Sequence, residues 1–293
     1  MPRSRRWTTP RGGGDVLYVH ENHGLSPTAC NAPQLAYTLS VLVLAVVLSA
    51  SRRVALGEMR DKEGNEVDQA GFYDVIFGRR DVRGQFNGEP LNPAVLGRIL
   101  TAAHAAPSVG MSQPWDFVLV EALPTRQAFH EHVQSERAIF EASLDDEARK
   151  RFSGIKIEGI LDASLGIVVS YDPERGSPHV LGRHAIADAG LYSVCLAIEN
   201  LWLAATAEEV GVGWVSFYRE EFLAELIGLP AGLRPVAWLC AGPVTHFEKV
   251  PDLERFQWQA RRPLEPHLFV DRFGTPLNDS ELIALPTKLM ASD

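Results

Sequence analysis

Three cysteines in 293 residues, Cys30, Cys195 and Cys240, are odd in number and far apart. They build neither a disulfide framework nor a metal set, and they suit a reducing, cytoplasmic setting. Nine histidines fall without metal-ligand spacing. His130 and His132 stand two apart in a helical stretch and so point to different faces, while His179 and His184 flank a loop; structural roles account for them. No Walker loop and no internal repeat occurs. Gly211-Val212-Gly213 lacks the third glycine of a dinucleotide fingerprint and does not sit between a strand and a helix in the right order, which excludes a Rossmann reading. Positive charge is scarce as well. Of the 28 basic and 37 acidic residues, six and three lie in residues 1–58, leaving 22 and 34 and a main body near −12. That balance argues against a general nucleic-acid binder.

A full-length apolar span is missing too. The run 35–50 is 16 residues long, with Thr38, Ser40 and Ser49 as polar interruptions, against the roughly 20 apolar residues a membrane helix needs. Some 34 residues precede it, too many for a signal peptide. Three readings of residues 1–58 stand, in this order: a mis-set start with Met59 as the true first residue, a single membrane anchor, and a signal peptide. The remainder, 59–293, has the ordinary composition of one globular domain with a substantial core. Membrane association is not expected of it.

What the body does have is a concentration of arginine. Phe77-Gly78-Arg79-Arg80-Asp81-Val82-Arg83-Gly84-Gln85-Phe86 places three guanidinium groups and a carboxylate within five residues. A guanidinium is a planar fork of donors suited to phosphate or carboxylate, and it stays charged at any working pH. The stretch follows the apolar run 72–77, so it sits at the edge of a packed element rather than on a solvated face. Its pattern is that of an anion-binding corner with an acid built in, and the arginines should favour the ionised form of Asp81.

Further along, Asn92 and Pro93 make a helix start, side-chain cap then proline at the first helical position. Val95, Leu96, Ile99, Leu100 and Ala103 recur at helical spacing, and Pro107 ends the run. The loop 107–115 follows (Pro107-Ser108-Val109-Gly110-Met111-Ser112-Gln113-Pro114-Trp115), then a strand over 117–120. Residues 125–153 read as helical, with a charged second half, and 165–171 as a strand. The longest helical pattern is 188–210, apolar over a wide face that suits a central helix or a subunit interface, with Gly211 where a C-terminal cap belongs. A helix over 222–227 and a buried strand over 235–241 complete the body. The aromatic, Arg-rich tail 256–274 is too sticky to be free and is expected to wrap a neighbour.

In that order, the paired-arginine motif, the Pro107-Ser108…Gln113-Pro114-Trp115 loop and Gly211-Val212-Gly213-Trp214-Val215-Ser216 resemble those of the FMN-binding nitroreductase-fold proteins. Within that fold the chain is most similar to the 5,6-dimethylbenzimidazole synthase family, over about residues 70–275. Asn200-Leu201-Trp202, Val236-Ala237-Trp238-Leu239-Cys240 and Asp271-Arg272-Phe273-Gly274 extend the match. The resemblance implies an α+β fold, a central mixed sheet flanked by helices, in a homodimer with FMN at the subunit interface. It implies consumption of reduced FMN as a substrate, with O2 as co-substrate, to release 5,6-dimethylbenzimidazole, the lower ligand of cobalamin. A separate NAD(P)H-dependent flavin reductase would supply the reduced flavin.

By the same resemblance Asp81 and Ser216 are the catalytic pair, expected to meet over one ring although 135 residues apart. Arg79, Arg80 and Arg83 would face the phosphate. Val82, Ser108, Gln113, Trp115, Lys156, Gly213, Trp214 and Arg272 complete the cofactor-binding set, and no metal is implied. Simple nitroreductases usually carry serine where this chain has Asp81, so that residue favours the synthase over the alternative, an NAD(P)H-dependent FMN nitroreductase or flavin reductase. A non-enzymatic flavin-binding module, tethered through 35–50, is the third reading.

Overall fold

The computed structural model describes residues 68–176 and 178–277. The expectations for 1–58 and for a start at Met59 lie outside the described residues. The first helix, α1 (Gln69–Gly78), is capped by the Asp68 carboxylate, which accepts from the Gly71 N–H at 2.9 Å. It ends at Arg79, whose backbone turns extended. α2 (Pro93–His104) begins as its sequence dictates, with Asn92 Oδ1 accepting from the Ala94 N–H at 2.8 Å and proline in the first turn.

Four strands follow: β1 (Trp115–Val120), β2 (Leu165–Tyr171), β3 (Val210–Val215) and β4 (Arg234–Pro243). They lie in the order β1-β2-β4-β3 and every pair is antiparallel. The α+β expectation holds. The parallel component expected of a mixed sheet is confined, among the described residues, to one isolated bridge between Asp81 and Val212.

The stretch 125–153 is two helices, α3 (Leu123–Ala142) and α4 (Asp146–Ser153). Asp145 starts the second by accepting from the Ala148 N–H at 2.8 Å, an N-cap signal that outweighs the continuous helical pattern. The break lets Phe140 meet Phe152 edge-on at 5.1 Å. The long apolar helix α5 (Ala189–Ala207) stops sooner than its pattern suggests. Glu209, not Gly211, takes the left-handed conformation at φ 57°, and Gly211 already lies inside β3. α6 (Glu220–Leu226) is followed by Gly228 at φ 65°, and α7 (Asp252–Arg255) lies in the segment beyond β4.

The sheet is buried on both faces, so β2 shows no polar alternation. On one side Ile167, Val169 and Leu239 pack with Ile99 and Ala103 of α2 and Val194, Ile198 and Leu201 of α5. On the other Val168, Val215 and Trp238 pack with Phe129 and Val133 of α3 and Leu223 of α6. Trp238 stacks on Phe129 with ring centroids 3.9 Å apart. Gly166 admits that indole, because a Cβ there would lie 2.4 Å from Trp238 Cζ2. Full burial of each large side chain contributes about 1.5–3 kcal/mol. Among the described residues α5 alone is long and apolar enough to cross a membrane. Its inner face belongs to this core, while Tyr192 and Leu196 point outward, 56% and 47% exposed.

Candidate functional site

The arginine corner forms where the chain leaves α1 and runs beside β3. The Val82 N–H donates to the Val212 carbonyl at 3.0 Å, fixing the parallel bridge at Asp81. This close approach requires Gly213: a Cβ there would lie 2.0 Å from the Val82 carbonyl oxygen. Asp81 Oδ1 accepts from the Trp214 N–H at 3.0 Å, and Oδ2 takes a short hydrogen bond from Arg83 Nη2. The Asp81 side chain stays 32% exposed through the small cavity it lines. Protein atoms nevertheless crowd its carboxyl. Burial pushes the group above the ordinary aspartate value, against the opposing pull of Arg83, the Trp214 N–H and Arg79. The arginines favour the ionised form, as expected, but desolvation is the largest influence and outweighs them.

The three arginines divide their work. Arg80 is buried and donates to the carbonyls of Phe77 (2.6 Å), Arg79 (3.0 Å), Glu248 (2.9 Å) and Lys249 (2.5 Å). Instead of facing outward to a phosphate, it ties the end of α1 to the segment after β4. Arg79 lies over the Trp202 ring at 4.9 Å. Arg83 is 15% exposed, pairs with Asp81 through Nη2, and has a buried Nε with no hydrogen-bond partner among the described residues. A cavity of about 120 Å³ opens beside Asp81, Arg83, Gln85, Glu248 and Asp252. A second, of about 210 Å³, is lined by Phe77, Arg80, Lys249, Glu254 and Arg261.

The loop 107–115 is shaped by its own groups. Ser108 Oγ accepts from the Gln113 N–H at 3.0 Å, and Gln113 Nε2 donates to the His104 carbonyl at 3.2 Å. Met111 and Gln113 hold positive φ, 55° and 44°, uncommon for residues with a Cβ. Ser216, just past β3, is exposed and lines a separate open cavity of about 470 Å³ with Glu136, Phe140, Tyr218 and Arg219. Burial pushes the Tyr218 phenol up to about 12, and its hydroxyl donates to the Val236 carbonyl at 3.2 Å.

The nitroreductase family model matches residues 76–243, spanning the corner, the loop and both strands of the β3–β4 pair. A 5,6-dimethylbenzimidazole synthase of Rhodospirillum rubrum is 37% identical over 191 residues, 65% of this chain and 90% of that protein. The chain belongs to the nitroreductase family. A second 5,6-dimethylbenzimidazole synthase, from Rhodobacter capsulatus, is 32% identical over 192 residues, 66% of this chain and 92% of that one. In fold, this nitroreductase-family chain is similar to oxidized iodotyrosine deiodinase bound to FMN and 3-iodo-L-tyrosine. That match has a TM-score of 0.54 at 19% identity and covers 70% of this chain and 99% of the deiodinase. The resemblance drawn from the motifs is borne out, and with it the assignment to an oxidoreductase family.

Within this nitroreductase-family domain the structure gathers only part of the expected site. Asp81, Val82, Arg83, Gly213 and Trp214 meet at the β3 edge. Lys156, paired with Asp162, passes Gly84, where a Cβ would lie 3.6 Å from its Cδ. Asp81 and Ser216 line different cavities of the protomer and are linked through Trp214, two residues before Ser216. Val82 is 2% exposed and serves the core. Trp115, also 2% exposed, points inward and donates to His104 Nδ1 at 3.1 Å, so it supports the loop from beneath instead of lining it. The bare edge of Gly213 is filled by the Val82 backbone rather than left open for a flat ligand. Arg272 stands in an exposed turn of the tail, closed by the Phe269–Pro276 bridge. Sequence reasoning missed Glu248 and Lys249, which no local signal marks because they lie far downstream of the corner they join, and it noted Arg261 only as part of the Arg-rich tail.

Proposed function

We propose that this chain is a 5,6-dimethylbenzimidazole synthase, converting reduced FMN with O2 into the lower ligand of cobalamin. The names of the two relatives above support the reading. The observation that carries it is the Asp81 carboxyl, anchored on the Trp214 N–H at the β3 edge and raised in proton affinity by burial. A carboxyl so placed can hold a proton and release it at a fixed position, which general acid–base work on a fragmenting ring requires.

The residues fit a flavin phosphate. Arg83 presents a buried Nε with no partner among the described residues, and leaving such a donor unpaired costs about 1–3 kcal/mol. An anion accepting from it would remove that cost, with Arg79 as the second cation. When bound, the reduced flavin supplies both the electrons that reduce oxygen and the carbon skeleton of the product. Around it this chain's own groups bind and move protons. Arg79 and Arg83 would hold the phosphate and Asp81 would exchange a proton, while Ser216, which lines a separate cavity of the protomer, would donate and accept at the ring edge. Tyr218, held protonated by burial, remains a donor to Val236 and stays out of proton transfer.

A homodimer belongs to the same proposal. The outward Tyr192 and Leu196 of α5, Leu181 at 80% exposure and Phe273 at 93% support it. An NAD(P)H-dependent flavin reductase as the source of reduced FMN, in a cytoplasmic setting, completes the proposal. The test is aerobic incubation with reduced FMN followed by mass analysis for 5,6-dimethylbenzimidazole. Flavin returned intact and merely reoxidised would instead make the protein a recycling flavin reductase or nitroreductase.

A further inference from the structure

Gln85 is an uncharged polar member of the corner with bonds on both ends of its amide. It is 8% exposed. Its Oε1 accepts from two successive backbone groups, the Arg83 N–H at 3.3 Å and the Gly84 N–H at 3.0 Å. Its Nε2 donates to Glu248 Oε1 at 3.2 Å. Its own carbonyl accepts from the Thr245 N–H at 2.9 Å and from Thr245 Oγ1 at 3.3 Å. The partners fix the orientation of the amide, because only oxygen can meet two N–H groups and only NH2 can meet a carboxylate. No other side chain of this length does both. A glutamate could serve the backbone but would set a carboxylate against Glu248.

We propose that Gln85 is the positioning residue of the arginine corner: its amide clamps the Arg83–Gly84 turn to the Glu248 strap and thereby aims the Arg83 guanidinium at the anion. The strap is held twice, since Arg80 donates to the Glu248 and Lys249 carbonyls. The donation from Gln85, ahead of the contacts with His246 and Arg255, also holds the Glu248 carboxyl below its ordinary value. The titratable and charged groups facing the clamp are His246 at 3.3 Å and Arg255 at 3.5 Å on Glu248. Arg80, Asp81, Arg83 and Asp252 stand around the cavity it borders. The inference rests on the flavin reading above only for the identity of the anion.

The test exchanges amide and carboxylate. In Gln85→Glu the two carboxylates repel when both are ionised and share a proton at lower pH. Binding of FMN, relative to wild type at the same pH, should weaken about 10-fold near pH 8 and recover to within about 2-fold near pH 5. Binding of riboflavin, which has no phosphate, should stay within about 2-fold throughout, as loss of one clamp should not reach the ring. The double variant Gln85→Glu with Glu248→Gln restores the hydrogen bond with its polarity reversed and should rescue FMN affinity at both pH values. A merely structural glutamine gives neither the pH dependence nor the rescue. Should Gln85→Glu fail to fold, Glu248→Ala releases the amide at a side chain 25% exposed. Hydrogen exchange at the Arg83 and Gly84 amides should then quicken about threefold, with a matching loss of FMN affinity. Unchanged exchange, or a double variant no better than the single one, overturns the proposal. Exchange is read without ligand, so a failure of the flavin reading alone leaves that arm intact.

Discussion

The arginine corner and the 107–115 loop are both built from polar side chains, but they are held in opposite ways. In the loop the side-chain bonds that set the turn are short-range: Gln113 to Ser108 across five residues, Gln113 to His104 across nine, Trp115 to His104 across eleven. The Val109 N–H donates to Ser193 Oγ across 84 and docks the turn on α5. In the corner the bonds that join it to the rest of the fold are longer. Asp81 reaches Trp214 across 133 residues, Gln85 reaches Glu248 across 163, and Arg80 reaches Lys249 across 169. A turn set largely by its neighbours keeps its local shape, with Ser193 of α5 and Asp172 after β2 as its outside anchors. A corner assembled from three distant segments forms only when the whole domain has closed. Each acts on the site in its own way: the loop offers a preset surface, and the corner ties anion binding to the integrity of the fold.

The largest effect should come from the carboxyl at the corner. Asp81→Asn keeps the shape and can still accept from the Trp214 N–H, yet it cannot exchange a proton. Formation of 5,6-dimethylbenzimidazole should fall by about 10²–10⁴-fold, the usual range for loss of a general acid or base, while reduced FMN is still bound. If binding and product are lost in parallel, Asp81 only orders Arg83. The same variant reports on pH. Because burial raises the Asp81 carboxyl above its ordinary 3.8, its contribution to stability is complete below that value and is lost as pH rises through the raised one. Asp81→Asn removes this slope, so its stability relative to wild type should improve as pH rises. A difference that does not change with pH would show that the folded and unfolded carboxyls titrate alike.

Next comes the approach that brings the corner to β3. In Gly213→Ala the new Cβ would meet the Val82 carbonyl at 2.0 Å, backbone that cannot step aside, and overpacking of this kind costs about 3 kcal/mol. Gly97→Ala, in α2 with nothing within 4 Å of the new Cβ, should instead stabilise by about 0.5–1 kcal/mol. Urea unfolding of the pair measures both. Equal midpoints would mean that the Asp81–Val212 bridge is not a fixed part of the fold.

The same contrast explains what the sequence could disclose. The Asn92 cap, the β2 strand over 165–171, the loop and the family motif were all readable, because local chemistry sets them. The end of α5 was not, because Glu209 accepted a left-handed turn and freed Gly211 for the strand. Nor were the separate duties of three adjacent arginines. Arg80 and Arg83 are alike in type and neighbourhood, and only the strap around Glu248, remote in sequence, tells the inward one from the outward one.

That division predicts a smaller, graded effect. Arg83→Ala removes a largely desolvated cation and should weaken FMN binding by about 2 kcal/mol more than riboflavin binding, at the low end for one member of a buried charged pair. Arg79→Ala should act in the same direction. Arg80→Ala should lower stability in urea unfolding and weaken both ligands together, since four backbone carbonyls of the described residues accept from it. Phosphate selectivity lost through Arg80 alone would reverse the roles.

The smallest effect tests the loop. His104→Ala leaves the buried Trp115 indole N–H without its acceptor at 3.1 Å, and it leaves Gln113 Nε2 with only the His104 carbonyl. The imidazole is exposed, so little apolar burial goes with it, and the orphaned donor sets the cost at about 1 kcal/mol. Because the His104 bonds to Trp115 and Gln113 share no partner with the bonds of the corner, this loss should lower the unfolding midpoint without changing the ratio of FMN to riboflavin affinity. Urea unfolding and two binding titrations decide it. A change in that ratio would mean that the loop and the corner respond as one unit, and the distinction between locally and globally held halves of the site would fail.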